Sequence, residues 1–168
     1  GKTTLIKIVN GVEQPSSGRV LLNGEVLNFC SPKDAVNQGI LTVHQELSLV
    51  PGMSIAENIF LGRYPMKGKR IDWNVTNATT RSLLDSLGIG MNPTTLVSDL
   101  SMWQCQMVEI AKVMHGNPKV LLLDEPTSSL ALAETRILFD LMKRLKYKDV
   151  IIIYITHRLQ ELWEIADT

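Results

Sequence analysis

The chain has 168 residues, 17 lysines and arginines against 17 aspartates and glutamates, and 45% hydrophobic residues. That is enough length and apolar content for one domain with a real core, and the balanced charge lacks the footprint of a nucleic-acid or anionic-membrane binder. No apolar run approaches the roughly 20 residues of a membrane-spanning helix, no secretory leader is visible, and Cys30 and Cys105 form no Cys-x-x-Cys pair, as suits reduced thiols.

In chain order, Gly1-Lys2-Thr3-Thr4 is the back half of G-x-x-x-x-G-K-[ST], a loop whose lysine reaches terminal phosphates and whose hydroxyl ligates magnesium. The front half of that motif would precede position 1, so the chain is expected to be a fragment. Leu5, Ile6, Ile8 and Val9 predict a helix stopped at Asn10-Gly11, with its N-terminus aimed at an anion. Asn23-Gly24 between apolar arms predicts an antiparallel hairpin over 19–29. Ser31-Pro32 opens a short helix that stops at Gly39, and Ile40–Val43 is a strand leading to His44-Gln45-Glu46. Ser54-x-x-Glu57 is a capping box opening a helix, and the polar 62–74 stretch reads as irregular, with Lys67, Lys69 and Arg70 a solvated loop. A helix from about Asn74 ends before Gly88, and the Ser101-x-x-Gln104 capping box opens another with Met107 and Met114 in its core face.

The stretch Lys119–Leu130, KVLLLDEPTSSL, organises the rest. Val120–Leu123 is an unalternating apolar run, the pattern of a strand covered on both faces, as in a parallel sheet. Asp124 and Glu125 follow where open α/β sheets place their ligands. There, one carboxylate suits magnesium and its neighbour suits polarising a water; an ordinary acidic turn is the plain alternative. A long amphipathic helix follows, with Leu138, Leu141, Met142 and Leu145 on one face. Val150–Ile155 is then a third buried strand running into Thr156-His157-Arg158, and a last helix carries Leu159, Leu162, Ile165 and Ala166.

GKTT, HQEL at 44–47, LSMWQ at 100–104, LLLDEPTSSL at 121–130 and THRL at 156–159 resemble, in order and spacing, ABC transporter ATP-binding subunits. HQELSLVPGMSIAENIFLGR, QMVEIAK and DEPTSSL look most like the simple-sugar importers of the galactose/methyl-galactoside, ribose and xylose type. The resemblance implies an α/β fold: a P-loop NTPase three-layer core with a mostly parallel sheet, an antiparallel hairpin and an inserted helical subdomain, truncated at both ends. Residues 1–45 and 117–168 would form the ATP-binding core and 46–116 the helical subdomain, in the first of two ATPase halves.

It further implies ATP and Mg2+ as cofactors, held by Gly1, Lys2, Thr3, Thr4 and Asp124, with Thr3, Gln45 and Asp124 toward the metal. Lys2 would neutralise the β- and γ-phosphates and Thr4 donate to a phosphate oxygen. Glu125 would orient or deprotonate the attacking water, with Gln45 touching metal and water and His157 bonding the γ-phosphate. Ser101 and Gln104 would serve the nucleotide of a second ATP-binding half. Other implied partners are integral-membrane permease subunits, met at the 49–53 loop, and indirectly an extracytoplasmic sugar-binding protein, with the chain on the cytoplasmic face of the membrane and no nucleic acid involved.

The sequence departs from the family pattern at Met102 and Trp103, where the signature usually reads LSGGQ. Its small residues let backbone N–H groups approach the γ-phosphate, so an indole at 103 is expected to block that approach and weaken one composite site. Ala131 stands where many relatives have an aspartate. Half of the phosphate cradle and the adenine-stacking aromatic would lie upstream of residue 1, so this fragment by itself is expected to bind ATP poorly and to be inactive. The alternatives are a hydrolysis-deficient nucleotide switch, which Trp103 favours while Glu125 and His157 oppose it, and a non-transport ABC ATPase.

Overall fold

In a computed structural model, residues 1–146 and 149–166 are described; positions 147, 148, 167 and 168 of the predicted 117–168 core segment lie outside them. The chain runs through α1 (Lys2–Val9), β1 (Val20–Leu22), β2 (Glu25–Leu27), α2 (Pro32–Asn37), β3 (Ile40–Val43) and α3 (Ile55–Ile59). It continues through β4 (Met66–Lys67), β5 (Arg70–Ile71), α4 (Trp73–Leu87), α5 (Met102–His115), β6 (Val120–Asp124), α6 (Leu132–Lys146), β7 (Ile151–Ile155) and α7 (Leu159–Ile165).

The apolar run of β6 has the two-sided burial its sequence predicts. β6 lies between β3 and β7 in a parallel sheet, with Val43 opposite Leu123 and Asp124 opposite Ile155. Because side chains alternate across a strand, Leu121 and Leu123 enter one core with Val43, Val108, Ile110, Leu138 and Phe139. Val120 enters another with Phe29, Ala35 and Ile40, against which Val9, Leu22 and Ile153 pack. Helices and the hairpin thus cover opposite faces, which is why β6 needs no polar residue before Asp124.

The local signals act as their chemistry dictates. Asn23 (φ 52°) and Gly24 (φ 85°) are both left-handed, as the tight primed hairpin turns require. Ser54 and Ser101 close capping boxes with Glu57 and Gln104. α1 ends at Asn10, and Gly11 (φ +69°) turns the chain where a Cβ would lie 2.7 Å from the Ser31 carbonyl oxygen.

Two expectations need correction. The 62–74 stretch is not wholly irregular: β4 and β5 pair about the left-handed Gly68 (φ 65°), a ribbon too short to show alternation, although Lys67, Lys69 and Arg70 are exposed as expected. α4 begins at Trp73, within one position of the expected start, because the Asp72 side chain accepts a hydrogen bond from Val75 N–H. β7 is less covered than β6, with Ile151 49% exposed; among the described residues it borders only β6, so its apolar run reports a strand without reporting its neighbours.

Leu138 is fully buried in the larger core, whereas Leu132, at the start of the same helix, is 83% exposed. In urea denaturation of the full-length chain, Leu138→Ala is expected to lose about 2–5 kcal/mol and Leu132→Ala no more than about 0.5 kcal/mol.

Candidate functional site

The site is built at the C-terminal rim of the parallel sheet. β6 delivers Asp124 at its last position. Glu125 leaves the strand with φ +49°, a left-handed conformation held by its N–H, which donates to the Ile155 carbonyl at 2.9 Å. Non-glycine residues in that region carry strain of about 1–3 kcal/mol and persist where their surroundings over-determine them. The twist brings the Glu125 carboxylate to β7, where Oε1 lies 3.1 Å from His157 Nδ1.

α1 brings in the cation. Its far end is tied to the sheet by Thr42 Oγ1, which donates to Asn10 Oδ1 at 2.7 Å. From its first turn, Lys2 Nζ donates to the Thr156 carbonyl at 2.7 Å. Lys2, Glu125 and His157 are thus brought together although 155 positions separate the first from the last. Asp124 is joined to them by strand register. Gln45 lies two positions beyond Val43, which pairs with Leu123, so its exposed backbone position is beside the same rim. Gly1, Thr3 and Thr4 are exposed at the start of α1, where helix N–H groups have no intrahelical acceptor.

Ser101 and Gln104 are not drawn into this group. Gln104 Oε1 accepts from Ser101 N–H at 2.8 Å, and Gln104 N–H donates to Ser101 Oγ at 3.3 Å. Trp103, at the second position of α5, is half-buried. It shares a face with Met107, packs against the larger core and borders a cleft of about 270 Å³ with Leu87, Met91 and Arg144. Ser101 and Met102 stay exposed.

The sequence reading missed a buried polar cluster beneath the rim. Glu161, on α7, is 7% exposed. Its Oε1 accepts from Thr127 Oγ1 at 2.8 Å, and its Oε2 accepts from Tyr154 OH at 2.7 Å and Thr156 Oγ1 at 2.8 Å. Arg158 Nη1 stands 3.6 Å from Oε1. Burial pushes the Glu161 carboxyl up, but these hydrogen bonds and the Arg158 charge together outweigh it and hold the group below the ordinary glutamate value. Burial also pushes the Tyr154 phenol far above its ordinary value, keeping it a donor. The available signal was Thr127 and Thr156 beside the acidic and histidine motifs, but their partner is set by how α7 folds back.

The chemistry suits a nucleotide with its metal. A lysine at a helix N-terminus fits phosphate, and the Thr3 hydroxyl with the Asp124 carboxylate is the hard oxygen set that magnesium accepts alongside phosphate oxygens and water. No group of three or more His, Cys, Asp and Glu among the described residues would form an all-protein metal cage, so phosphate oxygens would have to complete the coordination. A hollow of about 930 Å³ lies elsewhere, against Leu22, Lys119, Ile152 and Leu162, and includes none of the predicted site residues.

A parallel sheet with paired carboxylates at its rim and a helix presenting Gly-Lys-Thr toward it defines the class of P-loop nucleoside-triphosphatase folds. The sequence pattern of the ABC transporter family matches residues 1–128, and the chain belongs to that family. It is 49% identical over 167 residues to a putative ribose/galactose/methyl galactoside import ATP-binding protein of Agrobacterium fabrum, covering 99% of this chain and 33% of that protein. It is 48% identical to the ribose import ATP-binding protein RbsA of Rhodopirellula baltica, over 99% of this chain and 33% of the relative. An arabinose import ATP-binding protein, AraG, of Rhizobium johnstonii is 44% identical, with 100% of this chain and 34% of the relative covered. The chain thus spans about a third of the length of these relatives. In fold it is similar to an ATP-binding cassette of an ABC transporter in its ADP conformation, with TM-score 0.83, 24% identity and coverage of 98% of this chain and 69% of that one. No helix among the described residues is long and apolar enough to cross a membrane.

The depressed Glu161 carboxyl has a consequence for acid stability. A carboxyl with a folded value below its unfolded one stabilises the fold above the unfolded value and loses that contribution as pH falls through the folded one. In pH-dependent urea denaturation of the full-length chain, the parent is expected to lose stability through and below the ordinary value of 4.5, and Glu161→Gln to be less stable near neutrality with a shallower acid limb.

Proposed function

We propose that this chain is the nucleotide-binding and hydrolysing core of an ABC importer's ATP-binding subunit, coupling ATP hydrolysis to uptake of a simple sugar. The observation that carries the reading is the convergence of Lys2, Glu125 and His157 at one sheet rim, through the Lys2–Thr156 hydrogen bond and the Glu125–His157 contact. The relatives named for ribose, galactose, methyl galactoside and arabinose import support the substrate class. Residues 1–45 and 117–168 serve as the ATP-binding core and 46–116 as the helical subdomain.

Lys2 binds the terminal phosphates and, with the first N–H groups of α1, neutralises their charge. Gly1 and Thr4 complete the near side of the phosphate cradle. Thr3, Asp124 and Gln45 are the residues that would hold magnesium. The metal, when bound, supplies charge neutralisation to the transferring phosphoryl group. Glu125 accepts a hydrogen bond from the attacking water and orients or deprotonates it, and His157 holds the γ-phosphate in line while its Nδ1 side faces Glu125.

Ser101 and Gln104 serve the nucleotide of a second ATP-binding half, with the half-buried Trp103 packed along the core side of the same helix. The 49–53 loop, whose Val50 N–H and carbonyl are held by the buried Asn58 side chain, receives integral-membrane permease subunits at the cytoplasmic face of the membrane. An extracytoplasmic sugar-binding protein acts through those subunits.

A general base supplies about 10²–10⁴ in rate. In full-length protein, Glu125→Gln is therefore expected to keep ATP binding by equilibrium dialysis while phosphate release falls by about 10²–10⁴. Turnover near the parent's would defeat the assignment; a parent that binds ATP without releasing phosphate would favour the nucleotide-switch reading.

A further inference from the structure

The Thr156–Arg158 turn carries two of the contacts that make the site, yet it lies on the least covered strand of the sheet. Thr156 C=O takes the Lys2 ammonium, and His157, between Thr156 and Arg158, faces Glu125 with its side chain 61% exposed. Something must hold this turn. Thr156 Oγ1 accepts from Arg158 N–H at 2.9 Å, bracketing His157 in a side-chain-closed turn. The same hydroxyl spends its own proton on Glu161 Oε2 at 2.8 Å. Its orientation is therefore set from beneath, by a carboxylate that is 7% exposed.

Glu161 also holds the other half of the site. Its Oε1 takes the Thr127 hydroxyl, two residues after Glu125 on the turn that leaves β6. Arg158 ties the two turns again, Nη2 donating to the Ser128 carbonyl at 3.3 Å. Only an ionised carboxylate has lone pairs for all these donors at once. A glutamine must turn an NH2 group toward at least one hydroxyl that is itself donating.

We infer that Glu161 is the positioning residue of this site: one buried carboxylate that clamps the turn bearing His157 to the turn bearing Glu125 and so fixes the geometry of both side chains. Its carboxylate oxygens are engaged by Thr127, Tyr154, Thr156 and Arg158, so it acts through the two turns. The inference rests on the proposed ATPase reading for its effect on rate, but its geometric content stands apart from that reading. A carboxyl held below its ordinary value is the expected state of such a clamp.

The test uses the full-length protein with its permease, and Glu161→Gln together with Thr156→Val, which keeps the carboxylate but cuts its link to the turn. Two readouts are taken on each folded variant. In the first, histidine ring carbons are labelled and the His157 signal, assigned with His157→Gln, is followed by NMR. In the second, kcat and the KM for ATP are measured. The expected result is a displaced His157 signal, a fall in kcat of at least tenfold and a KM within threefold of the parent's, because Lys2 and the first turn of α1 are left in place. A carboxylate that merely stabilises the fold would lower the melting temperature and leave kcat per folded molecule unchanged. Should Glu161→Gln fail to fold, Thr156→Val carries the test by itself. An unmoved His157 signal, or kcat within twofold of the parent's in the folded variants, overturns the inference. If the parent shows no ATP turnover while the His157 signal moves, the ATPase reading fails and the clamp stands.

Discussion

Burial of β6 on both faces is the constraint on which the structure depends. A strand between two apolar layers has to reach the rim before it meets anything charged, because an unpaired carboxylate inside would be prohibitively costly. Val120–Leu123 supply the covered part, at 0–4% exposure, and Asp124 and Glu125 come at the first place where charge is tolerable. The partner strands run parallel to it, so their own polar ends, His44-Gln45 and Thr156-His157, emerge at that rim too.

Proximity at a rim is still not a site, and what converts one to the other is a small set of polar fastenings. Lys2 to the Thr156 carbonyl ties the start of α1 to the turn after β7, and Thr42 to Asn10 ties its opposite end to β3. The left-handed Glu125, bonded through its N–H to Ile155, turns a carboxylate sideways along the sheet. Hydrogen bonds to charged groups contribute about 1.5–3 kcal/mol each, and leaving a buried one unmade costs comparably.

Membership of the ABC transporter family explains why such a rim recurs with these spacings, and the departures from the family pattern show where packing outranks pattern. Trp103 stands where small residues are usual, yet its indole packs with Met107 against the core and leaves Ser101 and Met102 exposed. A residue's bulk matters at a docking surface only if the helix turns that residue outward, and the face of α5 is decided by its later turns.

By itself the sequence determined whatever depends on neighbours a few positions apart. Asn23-Gly24 sets its hairpin because both residues accept a positive φ, Ser54-x-x-Glu57 and Ser101-x-x-Gln104 satisfy helix N–H groups locally, and the unbroken run of β6 announces two buried faces. The Gly-Lys-Thr and Asp-Glu motifs likewise carry their chemistry in adjacent residues. Tertiary structure alone decided the rest: the β4–β5 ribbon, the lesser cover of β7, the inward Trp103, and the gathering of Thr127, Tyr154 and Thr156 on Glu161. Each of these is fixed by which surfaces meet after the chain has closed on itself, and a buried carboxylate's partners lie up to 34 positions away, beyond the reach of any local pattern.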